Sequence, residues 1–278
     1  GPDLVLMPGD LVYPKFVPEL TDFHFFSIYA VHQRQCPYFV TAGNHDVSYS
    51  SPQCYYDSYW LPTNNVPAEA HLAENTTPES YYSFDHGDAH FVGLYVPLLL
   101  TSVRLEPESA QVRWLESDLA ATRKPWKFVF LHHPLFTSNG HRNDDYTENG
   151  VYDPEDVRRV LLPVFRRHGV QVVFSGHDHV YERFNPVDGV IQIVDGLGGG
   201  PGYGLYELDV ASAQFWPRQH CVHVRIANDT LELQALSSEG EVFDRSQRRF
   251  GDAVNRGVHR GHRRAHHREE DHVVNDLL

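Results

Sequence analysis

Residues 171–183 read QVVFSGHDHVYER, and the fold turns on how this stretch divides. Val170, Val172, Val173 and Phe174 form a short β-favouring run that stops at Ser175-Gly176, the pattern of a buried strand ending in a tight bend. His177 and His179 follow at once, with Asp178 between them. In extended backbone, residues two apart point to one side, so the spacing predicts both imidazoles facing a point beyond the strand end. That is a metal-ligand arrangement. An isolated HxH is equally a polar surface loop, so the rest of the chain has to decide.

Working outward, the same event recurs. Apolar residues 4–7 run into Gly9-Asp10, residues 37–40 into Gly43-Asn44-His45-Asp46, and residues 126–131 (WKFVFL) into His132-His133. The crevice beyond the carboxyl ends of strands is where α/β proteins keep their sites. Singly, Gly-Asp or an Asn after Gly is an ordinary turn. Together, Asp10, Asn44, His132 and the His177/His179 pair predict a metal centre. Asp, Asn and His without Cys suit zinc, iron or manganese, and Asp10 is the natural bridge between two ions.

The segments between these ends read as scaffold. Residues 16–35 predict a helix on the sheet, with His24 and His32 as surface or core residues. Residues 81–84 and 90–96 flank Gly87 as a hairpin. Residues 107–121 predict a helix starting at Pro107, with Val112, Leu115 and Leu119 on one face and Trp114 as a core anchor. Residues 153–168 predict another, N-capped by Asp153 and ended by Gly169. The Gly-rich residues 196–202 lack the Lys-Ser/Thr of a phosphate-binding P-loop, and are expected to bring backbone close to the site. Residues 221–226 and 230–236 alternate around Asn228-Asp229 as a half-exposed hairpin, whereas residues 47–80 show no clean period.

Composition sets the outer bounds. With 278 residues, 41% hydrophobic, the chain supports one large domain over 1–244. Residues 245–278 hold eight Arg and five His with few large apolar groups, which predicts a disordered tail. A net charge of -14 argues against a general nucleic-acid or anionic-membrane binder. No apolar run is long enough to span a membrane. Cys36, Cys54 and Cys221 form no zinc pattern, and a Cys36–Cys54 disulfide is expected only if the protein is exported. Asn75-Thr76-Thr77 and Asn228-Asp229-Thr230 are glycosylation sequons. The chain begins Gly1-Pro2-Asp3, which reads as a piece of a longer polypeptide.

The ordered set GDLVY (9–13), GNHD (43–46), VFLH (129–132) and GHDH (176–179) resembles the calcineurin-like metallophosphoesterases. Tyr13 in the first motif and VYER after the last make the chain most similar to the purple acid phosphatase branch. The resemblance implies an α/β fold: a four-layer α-β-β-α sandwich of two mixed sheets flanked by helices, with a dinuclear metal site at the strand ends. It implies that Asp10 bridges the ions, that Tyr13 and His179 bind Fe(III), and that Asn44, His132 and His177 bind Zn, Fe(II) or Mn. It assigns His45 to the phosphate and His141, nine residues beyond His132, to proton donation. The implied activity is hydrolysis of phosphate monoesters by a metal-bound hydroxide, on a small phosphorylated substrate, in an extracytoplasmic or secreted protein. A phosphodiesterase or nucleotide hydrolase is the alternative. The family's DxG motif on a preceding strand has no counterpart ahead of GDLVY, so a non-catalytic remnant with an incomplete metal site is a further alternative.

Overall fold

The computed structural model describes residues 1–47, 52–63, 66–67, 77–96, 105–143 and 154–251. Asn75, Asp153 and residues 252–278 lie outside them, and with them the first sequon, the expected N-cap and most of the expected tail. The frame is a seven-stranded sheet in the order β3-β4-β5-β6-β8-β7-β9. Its members are β3 (Tyr82–His86), β4 (Ala89–Gly93), β5 (Trp126–Leu131), β6 (Val172–Ser175), β7 (Tyr181–Phe184), β8 (Ile191–Asp195) and β9 (Ser212–Trp216). β4, β5, β6 and β8 are mutually parallel, so the loops after β5 and β6 leave the same edge side by side. β1 (Val5–Met7) and β2 (Tyr38–Val40) form a separate parallel pair whose carboxyl ends likewise adjoin. Two parallel pairs thus aim four chain segments at one place.

One face of the large sheet carries helices α5 (Ala110–Ala121) and α6 (Pro154–His168), after the short helices α1 (Pro18–Thr21), α2 (Ser27–Gln33), α3 (Asn44–Val47) and α4 (Pro52–Ser58). Lys127, pointing to that face, donates to the carbonyls of Leu119 and His168, which ties the carboxyl ends of both helices to β5. Val112, Leu115, Leu119 and Trp114 are buried as the periodicity predicts. The helix starts later than expected. Ser109 caps it by accepting from Val112 N–H, a bond worth about 1 kcal/mol, while Pro107 lies in the preceding turn. The helix expected over 16–35 is likewise broken up: a π-helical turn, Asp22–Phe26, separates α1 from α2.

The other face is aromatic. Phe84, Phe91, Phe128 and Phe174 follow one another across four neighbouring strands, with ring centroids 5.1, 5.1 and 6.4 Å apart. Phe39 of β2 stacks on Phe84 at 3.7 Å, and at the other end Phe250 meets Trp126 at 5.9 Å. The second sheet layer is therefore present, but in two pieces: β1–β2, and a meander of β10 (His220–Ala227), β11 (Thr230–Ser237) and β12 (Val242–Arg249).

β12 corrects the domain boundary expected at 244. Residues 245–249 pair along β11, and Asp244 is locked to β7 by Tyr181 OH and Arg183 Nε, both at 2.6 Å. Its outward side chains include Arg245 and Arg249, so a strand with a charged solvent face has the composition of a tail. All three cysteines are free, which removes the Cys36–Cys54 pairing. Among the described residues, no helix is long and apolar enough to cross a membrane.

Candidate metal centre

Every residue singled out as a ligand or catalytic group reaches one cleft at the strand ends. Asp10 lies at its middle. Its Oδ2 accepts from Tyr13 OH at 2.8 Å and lies 3.3 Å from His132 Nε2, while its Oδ1 accepts from His45 N–H at 2.8 Å. Tyr13 OH is also 2.9 Å from His179 Nε2. On the other side, Asn44 Oδ1 is 3.0 Å from His132 Nε2 and 3.1 Å from His177 Nδ1. His141 packs at a tilt against His177, centroids 4.7 Å apart, and His45 against Tyr13 at 4.3 Å.

The backbone explains how these groups arrive. Asp10 and His177 have φ of 54° and 66°, a left-handed conformation that non-glycine residues adopt at a cost and that concentrates at functional sites. The extended backbone expected through 177–179 is thus absent. His177 turns toward Asn44, and His179 reaches the opposite side to Tyr13. Asn44 opens the short helix α3 rather than an Asx-turn. Gly43 is required there because a Cβ would collide with the Asp10 carboxylate. The loop carrying His132 to His141 is braced from beneath: Gln192 Oε1 accepts from Leu135 and Phe136 N–H, and buried Glu182 accepts from Ser138 N–H.

Several participants carry no sequence signal of their own. Asp46 accepts from the N–H groups of Asp10, Leu11 and Gly43 at 2.8 to 3.0 Å, so it staples the β1 and β2 loops together. Burial and the nearby Asp10 charge push it up to about 7, against the Gly43 and Leu11 N–H donors and the His132 imidazole. His133 donates from Nδ1 to the Val96 carbonyl, and the ring nitrogens of His132, His133 and His177 lie close enough together to share an ion, as do those of His141 and His177 with a carboxylate oxygen of Asp178. Tyr203, from the Gly-rich loop, stacks on His179 at 4.2 Å. That loop does pass close to the site: its Pro201 carbonyl accepts from His179 Nδ1 at 2.8 Å.

The electrostatics describe a site that wants positive charge. Burial works against the Asp10 carboxylate, yet His132 holds it well below the usual carboxylate range, and Asp10 in return raises His132. Burial drives His177 well below its ordinary value and His133 down to about 3, reinforced by neighbouring imidazoles. Burial and the Asp10 charge push the Tyr13 phenol far upward. Two contacts then cannot both be satisfied by protons. His179 donates from Nδ1 to Pro201, so in its neutral form Nε2 can only accept, and the one phenolic proton of Tyr13 faces two acceptors, Asp10 Oδ2 and His179 Nε2. His132, whose Nδ1 donates to the Pro8 carbonyl, needs a second proton, or a cation, at Nε2 to satisfy Asn44 and Asp10.

An α/β sandwich that gathers Asp, Asn, Tyr and His donors at its strand ends belongs to the class of scaffold suited to holding metal ions there. The sequence profile for calcineurin-like phosphoesterases matches residues 1–181, and the chain belongs to that family. Purple acid phosphatase 22 of Arabidopsis thaliana is 32% identical over 193 residues, covering 66% of this chain and 40% of that protein. Fe(3+)-Zn(2+) purple acid phosphatase 12 of the same plant is 29% identical over 173 residues, 58% of this chain and 32% of that protein. Among solved structures, purple acid phosphatase PPD1 from yellow lupin (Lupinus luteus) seeds superposes with a TM-score of 0.66 at 20% identity, over 88% of this chain and 46% of that one. The chain spans about two fifths of the length of the first curated relatives it matches.

Proposed function

We propose that the cleft holds two metal ions and hydrolyses phosphate monoesters. The observation that carries this reading is the position of Asp10 between the Tyr13–His179 pair and the His132–Asn44–His177 group, whose facing acceptors need added positive charge to be satisfied. Tyr13 and His179 would hold one ion and Asn44, His132 and His177 the other, with Asp10 shared. An oxygen- and nitrogen-donor set without thiolate suits Fe(III) paired with Zn, Fe(II) or Mn. Bound there, the ions would supply positive charge for the phosphoryl oxygens and acidify a nucleophilic water. The residues do the rest. Pro8 and Pro201 carbonyls fix the tautomers of His132 and His179 so that Nε2 faces inward in each. His45, oriented by the Pro14 carbonyl at 2.7 Å, is assigned to the phosphoryl group. His141, on the opposite wall, is assigned to protonate the departing oxygen, a task suited to an imidazole. Export belongs to this proposal through the family resemblance, and the sequon Asn228-Asp229-Thr230 is on an exposed hairpin turn where a glycan is sterically tolerated.

Elemental analysis with a visible spectrum, followed by turnover of p-nitrophenyl phosphate against its bis ester, tests the proposal. Two ions per chain, a tyrosinate band and preference for the monoester are expected. Preference for the diester would replace monoester hydrolysis by phosphodiester hydrolysis. A colourless chain without bound ion and without turnover would favour a non-catalytic role.

A further inference from the structure

β5 ends at Leu131, and His141 stands ten residues further along, beyond the strand register that fixes His132. Two neighbours take over that task. Asn139, 5% exposed, accepts at Oδ1 from the His141 N–H at 3.2 Å and donates from Nδ2 to the Gly204 carbonyl at 3.1 Å. An amide has both an acceptor and donors, so this one side chain ties the turn of His141 to the segment that carries Tyr203.

Ser138, with no exposure, extends the tie in both directions. Its carbonyl accepts from the N–H groups of Tyr206 and Glu207 at 3.0 and 3.1 Å, and its hydroxyl accepts from Asp209 N–H at 2.9 Å. Beneath it, the same hydroxyl and the Ser138 N–H donate to the two oxygens of Glu182, a fully buried carboxylate on β7. A hydroxyl has one proton to give, and giving it to Glu182 leaves its lone pairs for Asp209. Residues 138–142 and 203–209 are thereby joined into one body seated on the large sheet. In it the His141 ring lies 4.7 Å from His177 and 5.5 Å from Tyr203, which in turn stacks on His179.

We propose that Asn139 is a positioning residue for proton donation: seated on Ser138 and Glu182, it holds His141 in place against Tyr203 and His177, so that the imidazole stays aimed at the departing oxygen. That role rests on the reading of His141 as the proton donor. Protons pass only over hydrogen-bond distance, and a displacement of about 1 Å caused by a change outside the chemistry costs about 100-fold. Removing the Asn139 amide takes one partner each from the His141 N–H and the Gly204 carbonyl, and lets the turn shift.

Two monoesters separate positioning from mere support. p-Nitrophenolate departs without a proton, whereas the ethoxide of ethyl phosphate needs one. In the full-length chain, Asn139→Ala is expected to lower kcat for ethyl phosphate about 100-fold and to leave p-nitrophenyl phosphate nearly unchanged, with KM and metal content as in the parent. His141→Ala should show the same selectivity. Adding Asn139→Ala to it should then cost nothing further, because residues that act through one group do not add. Ser138→Ala keeps the Asn139 amide and the main-chain bonds, and should give the same selectivity at smaller amplitude if Asn139→Ala does not fold. An equal loss on both esters, or losses that multiply in the double variant, would overturn the positioning role. If His141→Ala itself loses both esters equally, the proton-donor reading is overturned, and the role of Asn139 with it.

Discussion

The two halves of the metal centre are built by different means. His132 follows directly on the end of β5, while Asn44 and His177 lie four and two residues beyond the ends of β2 and β6, and Asn44 and His132 are 2% and 0% exposed. Their placement is inherited from parallel ladders in fixed register, where a shift of one residue would move whole strands. Tyr13 and His179 depend on loops instead. Tyr13 lies in the turn after β1, and His179 is steadied by Pro201 and Tyr203 of the Gly-rich segment. The sheet half should therefore behave as all or none, and the loop half as adjustable.

The strongest way to break that contrast is His132→Ala. It removes the group that touches both Asp10 and Asn44 and leaves a hollow at a site with no exposure. Loss of supporting groups around metal ligands costs about 10–100-fold in affinity or activity, so loss of this group should exceed about 100-fold in kcat. Elemental analysis should show one ion fewer; full metal content with retained turnover would remove His132 from the centre. Tyr13→Phe should do less. It deletes the phenol oxygen shared by Asp10 and His179, and a loss within about 10–100-fold is expected. Its visible absorption should vanish while the divalent ion stays. Persistence of the colour would assign the chromophore to another group.

That contrast also separates what the sequence makes legible from what it hides. Asp10, Asn44, His132 and His177 announce themselves because each follows a short apolar run and a bend, and a strand end is a position that periodicity can locate. The left-handed backbone at His177 has no such signal, so the pair HxH promises one shared direction where the chain uses two. Asp46 is visible as a letter of GNHD, but its work is to accept three backbone N–H groups from two loops, which no composition reveals. β7 is concealed by its own charges: Glu182 is buried against Ser138, and Arg183 pairs with Asp244 of β12. β12 is concealed the same way, since Asp244 and the arginines mask a strand whose Phe243 stacks on Trp216 at 4.9 Å. Buried ion pairs and alternating solvent faces erase the hydrophobic signature on which strand reading rests.

A milder change sharpens the loop half. A Cβ at Gly200 would come within 2.8 Å of His179 Cε1 and 2.9 Å of Nδ1, which forces the imidazole or the loop to move. The loop can yield where a sheet cannot, so Gly200→Ala should cost about tenfold in kcat, at the low end for supporting groups, with both ions retained. A loss as deep as that of His132→Ala would mean that the loop half is as rigid as the sheet half.

The smallest effect lies far from the cleft, and it sets the background for any acid optimum. His90 on β4 bridges Asp85 of β3 at 2.7 Å and Asp118 of α5 at 2.8 Å. Lys124 stands 3.8 Å from Asp85, and Lys127 pairs with His90 across the β4–β5 ladder. Burial opposes charge on His90, but Asp118 and Asp85 more than compensate and raise its pKa above the ordinary value. The folded chain therefore holds this proton more tightly than the unfolded one. Its stabilisation is complete below the unfolded value of about 6.5 and fades as pH rises through the raised folded value. Replacing His90 with Gln should lower stability by about 2 kcal/mol at pH 5, from lost charge-assisted hydrogen bonds, and by less at pH 9. Urea midpoints of both chains across that range provide the measurement. A difference that stays constant with pH would show His90 acting as a neutral spacer, and acid activity of the centre could then be read without correction for a fold that is itself steadier in acid.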